Sequence, residues 1–308
     1  AVKTPPSHGG NTGSIPVRTA KEIFGRIFPF LLYKNGGYNM DFYVTIGDIK
    51  DTIHTYWNDH HTSSKFPEIL HILYENKKYL DYEPVLPDIG ALARLDDDSF
   101  LSEIRKLYFR FPYTILSDLD SFDVVPPTSH IAVFHQFWRS YSFIHLHDCF
   151  EINYVFKGEC ELTFLDEKRI LKEGDFCIIS PYTNHNVTLL TEDSQIFPVL
   201  LKEKTFSEIF FPLLPEDNLL SDFFRRILSD KSEPNYLLFQ TSGSLEIRDL
   251  MKRLFLENFR QDKYASQNLI HWLYLLFSSI LRDYQTYSQF SSYKTGPDYA
   301  PILRYIQN

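Results

Sequence analysis

Four residues in the middle of the chain carry side chains suited to metal or acid–base chemistry. Three lie in His145-Leu-His147-Asp-Cys-Phe-Glu151, and the fourth, His185, ends the segment Ser180-Pro181-Tyr-Thr-Asn-His185. Three imidazole nitrogens and one carboxylate oxygen make a donor set for a borderline divalent ion such as Zn, Ni, Fe or Mn, and an octahedral ion held by four protein ligands keeps two open positions. The same side chains can instead line a wet polar cavity and bond a small ligand or one another without any metal. Spacing alone leaves both readings open. In an extended strand alternate side chains share a face, so His145, His147 and Glu151 project together if a single strand carries them. Cys149 has the same parity, which makes its thiol a candidate for the same pocket, against the commoner fate of a buried structural Cys.

The elements that must position these residues are short strands. After Pro126-Pro127 the apolar pattern changes to period two, with strands expected from His130 to Trp138, Phe143 to Phe156, Cys160 to Leu165, Arg169 to Leu171, Phe176 to Ile179 and His185 to Leu190. Turn residues such as Lys157-Gly158 and Glu173-Gly174-Asp175 separate them. That rhythm predicts an all-β barrel or sandwich over residues 128–202, and a closed barrel can enclose a ligand.

The flanks are different. Residues 1–20 are rich in Pro, Gly, Ser and Thr and are expected as a flexible tail. Residues 21–125 are expected as a helical accessory region, with Ile69, Leu70, Leu73 and Tyr74 on one helix face behind Pro67, and a second helix capped by Asp98 or Ser99. His54, His60, His61 and His71 lie there. Neighbouring side chains of a helix or strand diverge, so the His60-His61 doublet is expected as solvated surface rather than as a metal site. Residues 203–285 return to helical spacing, with helices at 216–229, 245–259 and 266–284. The last of these is apolar around most of its circumference, as a core or subunit-sharing helix is. His271 on it is expected as a packed or rim residue. Residues 286–298 read as a polar linker, and 299–308 as the opening of a further domain.

Composition bounds the function. The 308 residues include 44% hydrophobic and 16% aromatic residues, enough for a large core, and the formal charge of −9 excludes an overall basic nucleic-acid-binding surface. Three cysteines, none in a Cys-x-x-Cys spacing, point to reduced thiols and a cytoplasmic chain. No apolar run spans a membrane and no leader opens the sequence. The first residue is Ala, as expected of a fragment or a processed product.

His145-x-His147-x3-Glu151-x6-Gly158 resembles the first motif of the cupin superfamily, and Gly174-Asp175 with Pro181 and His185 resembles the second, although cupins usually place a Gly between that Pro and His and an Asn where Leu189 stands. HLHDCFEINYVFKGECELTF and LKEGDFCIISPYTNH resemble the sensor domain of the AraC family of bacterial transcription regulators. The ordered tail of YLLFQTSG, two helices, a polar linker and ILRYIQN is similar to that family too. The resemblance covers residues 128–308 and does not reach the first 125.

It implies an α+β chain: a cupin-like, jelly-roll β-barrel flanked by an N-terminal helical region and C-terminal dimerisation helices. It implies a non-enzymatic regulator that senses a small-molecule effector, a sugar being one candidate, and forms a homodimer. DNA contact would come only through a helix-turn-helix domain beyond residue 308. The ligand set implied is His145, His147, Glu151 and His185, with or without a divalent metal. The competing expectation is a metal-dependent cupin enzyme, an isomerase or dioxygenase, using the same four residues.

Overall fold

The computed structural model describes residues 41–116, 125, 129–140, 143–165, 167–213, 221–225, 235–241, 243–260, 262–283 and 286–288. The expected tail at 1–20, most of the expected linker and the expected domain opening at 299–308 lie outside these residues.

The accessory region is not purely helical. β1 (Asp41–Thr45) pairs antiparallel with β2 (Tyr108–Pro112), Asp41 opposite Pro112 and Thr45 opposite Tyr108. Phe109 and Phe111 of β2 are buried while Tyr108, Arg110 and Pro112 are less so, the alternation of a half-buried strand. Between the two strands run α1 (Ile46–His60), α2 (Phe66–Glu75), the single turn α3 (Ile89–Leu92) and α4 (Asp97–Ile104). As expected, Ile69, Leu70 and Leu73 of α2 face the core behind Pro67. The cap of α4 is Asp96, not Asp98 or Ser99: its carboxylate accepts the Ser99 N–H at 3.0 Å.

The barrel has two unequal walls. The strands are β3 (Ile131–Val133), β4 (Cys149–Lys157), β5 (Glu159–Phe164), β6 (Lys168–Lys172), β7 (Asp175–Ile179), β8 (His185–Leu189), β9 (Gln195–Lys202), β10 (Tyr236–Gln240) and β11 (Thr286–Ser288). One sheet runs β11-β10-β7-β4-β9-β3 and the other β6-β5-β8. In β5 Cys160, Leu162 and Phe164 point inward, and Glu159, Glu161 and Thr163 alternate with them on the more exposed face. In β4 nearly every residue is buried because both faces are covered. Val155 shares the barrel interior with Cys160, Leu162 and Ile179, while Phe150, Ile152, Tyr154 and Phe156 face a second, larger core.

Helices cover that outer face. α5 (Leu245–Glu257) and α6 (Ala265–Asp283) fall where helical spacing predicts them. α4 wedges between the sheet and α5: Phe100 meets Phe156, Phe197 and Phe255 with ring centroids 5.7, 6.3 and 6.4 Å away. Asp97 at the start of α4 pairs with Arg248 and, at 2.6 Å, with Lys252, both on α5, and Arg248 also reaches Glu173 of the barrel at 2.6 Å. Of the helix expected at 216–229, residues 221–225 are described and are helical. Thr286–Ser288, expected as linker, is instead an edge strand on β10. Three residues bounded by a polar stretch give no local strand signal, and only the waiting edge of β10 defines them as one.

Gly158, the last residue of the first motif, makes the turn from β4 to β5 at φ +76°, where a Cβ would meet Ser194 Oγ at 2.7 Å and Ser194 Cα at 2.9 Å. Gly158→Ala is therefore expected to destabilise the chain by about 1–3 kcal/mol, read as a lower urea midpoint.

Candidate functional site

All four residues singled out by type and spacing come together inside the barrel. One ligand atom from each of His145, His147, Glu151 and His185 lies within 4.8 Å of the others, and this is the group of three or more His, Cys, Asp or Glu side chains able to hold an ion among the described residues. They are 8%, 3%, 4% and 0% exposed respectively, so the cluster is enclosed.

The positioning differs from a single strand. Only Glu151 lies on β4. His145 pairs through its backbone with His185 at the start of β8, each N–H donating to the other's carbonyl at 2.9 Å. Residues 143–148 thus cross from the three-stranded wall to the six-stranded wall, and His147 sits in that crossing. The expected strand from Phe143 to Phe156 begins only at Cys149. The corner, not shared parity, brings the imidazoles to the carboxylate.

Backbone carbonyls fix each ring. Nδ1 of His145 faces the Phe143 carbonyl at 3.0 Å, Nδ1 of His147 the Cys149 carbonyl at 2.8 Å, and Nδ1 of His185 the Thr183 carbonyl at 2.8 Å. A carbonyl can only accept, so each Nδ1 carries the hydrogen and each neutral ring keeps its lone pair on Nε2. Glu151 Oε2 is 2.8 Å from His147 Nε2 and 3.1 Å from His185 Nε2. Two neutral rings in this tautomer would aim lone pairs at a carboxylate, so the arrangement calls for positive charge, either protons on the rings or a cation bound by these atoms. Donor atoms around one ion, with bonds of roughly 2.1 Å, lie about 3 Å apart along an edge. The chemistry of the donor set and its tautomers therefore fit a divalent ion.

Electrostatics agree with that demand. Burial alone would raise the Glu151 carboxyl, but the charge and hydrogen bonds of His185 and His147 outweigh it and hold it well below the ordinary carboxylate range. Burial opposes a charged His185, yet Glu151 raises its imidazole above the ordinary value. His145 behaves oppositely: burial, with His185 and His147 beside it, lowers it to about 3 despite Glu151.

Residue types and spacing did not single out Asn153. It is fully buried and donates to Glu151 Oε1 at 2.9 Å, so both carboxylate oxygens are engaged. Its signal was there: a polar residue two positions after Glu151, on the same face of an otherwise apolar strand. Cys149 is not part of the group. It packs in the outer core, and burial followed by Asp148 pushes its thiol up. His60 stacks on Tyr56 with ring centroids 4.2 Å apart, and both it and His61 are exposed. His71 and His271 are exposed as well.

A fourth buried imidazole, His135, lies outside the cluster and is lowered to about 4 by burial, although it bonds Gln195 at 2.7 Å. The folded chain thus refuses two protons, at His135 and His145, that the unfolded chain accepts below about 6.5. In metal-free protein the stability these two contribute is complete above that pH and falls towards pH 4, by up to about 1.4 kcal/mol per pH unit for each histidine. Glu151, held low, adds a further loss below its unfolded value, whereas the raised His185 contributes below its unfolded value and loses only as pH rises through its folded one. Urea midpoints measured near pH 6.5 and pH 4.5 should differ accordingly, and equal midpoints would contradict the assignment.

Comparison with known proteins gives a family match over part of the barrel. Residues 130–197 match the family model described as the AraC-like ligand binding domain. Among curated proteins no match is found. Among solved structures, an apo ToxT variant from Vibrio cholerae is 14% identical over 53% of this chain and 59% of that one, with a TM-score of 0.38. Unsaturated-fatty-acid-bound ToxT from the same organism is 15% identical over 51% and 56%, with a TM-score of 0.34. KdgF from Halomonas sp. is 27% identical over 24% of this chain and 71% of that chain, with a TM-score of 0.22. The chain covers less than two thirds of the length of these ToxT structures. Residues 130–197 are thus similar to an AraC-like ligand binding domain, and they lie within an α+β fold whose strands form two antiparallel walls.

Proposed function

We propose that this chain is the sensing part of an AraC-type transcription regulator and not an enzyme. The observation that carries the reading is the convergence of His145, His147, Glu151 and His185 inside the barrel that matches the AraC-like ligand-binding family. These four residues are the ligand-binding group. They hold a divalent ion, of which Zn, Ni, Fe and Mn suit the donor set, through Nε2 of each imidazole and the Glu151 carboxylate. Such an ion supplies a Lewis-acidic anchor for an oxygen-bearing effector, a sugar being one candidate. Asn153 and the carbonyls of Phe143, Cys149 and Thr183 keep the four side chains aimed.

In this reading α5 and α6 pair two copies of the chain. α6 buries Leu269, Ile270, Leu273, Leu276, Phe277 and Ile280 within its own chain and leaves Leu275 46% exposed, an apolar position available to a partner. DNA is contacted through a helix-turn-helix unit following the linker, and the protein works in the cytoplasm. No described helix is long and apolar enough to cross a membrane.

The second reading, a metal-dependent cupin enzyme, draws on the same donor set. Burial of the four side chains bears on both readings alike, and what favours sensing is the match of residues 130–197 to the AraC-like ligand binding domain. A thermal-shift screen followed by product analysis separates the two. A small molecule that raises the melting temperature and is recovered unchanged supports sensing; its conversion to product overturns it. Equilibrium dialysis against Zn2+ should give one ion per chain for the native sequence and none after His185→Ala, since loss of one of four ligands removes most of the affinity.

A further inference from the structure

The turn Ser180–Thr183 touches the site from outside. His185 Nδ1 donates to the Thr183 carbonyl at 2.8 Å, and the Tyr182 N–H donates to the His147 carbonyl at 2.7 Å. Two of the three histidines therefore lean on one turn. Tyr182 holds φ at +62°, a conformation that persists in a bulky residue only where its surroundings dictate it.

On its other side the turn is tied to Asn235. The Ser180 N–H donates to the Asn235 carbonyl at 2.8 Å, and the Asn235 N–H is shared between Ser180 Oγ at 2.9 Å and Thr183 Oγ1 at 3.1 Å. The two hydroxyls are 2.8 Å apart. Ser180, Thr183 and Asn235 are each 1% exposed, so water does not compete for these bonds. Asn235 immediately precedes β10, and its side chain accepts the Tyr236 N–H at 2.8 Å. β10 is held on one edge by β7 and holds β11 on the other, with Leu238 opposite both Cys177 and Ser288. β11 is the last described element before residues 289–308.

We propose that the Ser180–Thr183 turn couples the His/Glu site to the β10–β11 strand pair, so that a divalent ion seated among the four side chains holds β11 against the sheet. The proposal rests on the metal-binding reading of the site. An ion that fixes the His147 and His185 rings also fixes the Tyr182 and Thr183 peptides that bond to those residues. The turn then holds Asn235, the start of β10, and with it the edge on which β11 pairs. β11 has three residues and one neighbouring strand, so its pairing is a low-stability element that a small bias can shift. Ser180 and Thr183 act as positioning residues.

Hydrogen-exchange mass spectrometry of the chain with saturating Zn2+, and with a chelator in its place, tests this. Zinc stoichiometry is measured by dialysis on the same samples. In the native chain zinc is expected to slow amide exchange in 236–240 and 286–288 by at least about tenfold. In the Ser180→Ala, Thr183→Val double variant at saturating zinc the slowing at 286–288 is lost, and Thr183→Ser, which keeps the hydroxyl, retains it. Zinc bound by the native chain with exchange at 286–288 unchanged would overturn the coupling, as would protection that survives in the double variant. Absence of bound zinc in the native chain would overturn the metal reading and the coupling together, and the stoichiometry separates that outcome from the other two.

Discussion

A carboxylate closed off from water among β-strands is the constraint to which the centre of this molecule answers. Leaving Glu151 ionised at 4% exposure costs several kcal/mol unless positive charge and hydrogen bonds surround it. His147 and His185 meet one oxygen and Asn153 the other. Each supporting ring needs its own orientation fixed, and the backbone supplies it through three carbonyls. The crossing at 143–148, the turn at 180–183 and strand β4 are thus tied to one another through a single side chain.

β4 explains how such a polar knot coexists with a large apolar core. Its odd-numbered residues Glu151, Asn153 and Val155 serve the barrel interior, while its even-numbered residues Phe150, Ile152, Tyr154 and Phe156 serve the layer between sheet and helices. From Phe150 to Phe156 the two sets stay apart because the side-chain period of a strand is two, and only Cys149, at the first position of β4, departs from it by packing in the outer core. A slip of one residue would put Phe150 and Ile152 at the site and Glu151 into the apolar layer. The apolar set on the outer face therefore protects the register of the site as well as contributing burial.

Much of this was legible in the chain itself, and the parts that were not share a physical cause. The spacing from His145 to Glu151 picked out three of the four clustered side chains, period-two runs located β5, β7 and β8, and helical spacing located α2, α5 and α6, because each signal is carried by residues close in sequence. β1 and β2 were missed because each is five residues long and its partner lies more than sixty positions away, so no hairpin turn announces the pair. β11 was missed because three residues carry no strand pattern and its partner β10 lies more than forty positions earlier, Gln240 opposite Thr286. The four side chains do come together, but not through the single strand invoked to carry three of them. Parity within one strand and a corner between two sheets can put the same atoms together, and only pairing across the barrel distinguishes the two. Asn153 went unnoticed because a lone polar residue among apolar ones announces its partner only when the partner's position in space is known.

The wedge made by α4 has a practical consequence for anyone wishing to transplant the barrel. Phe100 fills the space bounded by Phe156, Phe197 and Phe255, and Asp97 is the shared counter-charge of Arg248 and Lys252. Arg248 and Lys252 are only 9% and 3% exposed. A chimera cut at the Pro126-Pro127 junction would carry away the aromatic plug and leave two enclosed cations facing each other, with Glu173 left to neutralise Arg248 alone. The minimal portable unit is therefore discontinuous: barrel, α5 and α6 from one stretch of chain, and the segment around α4 from another.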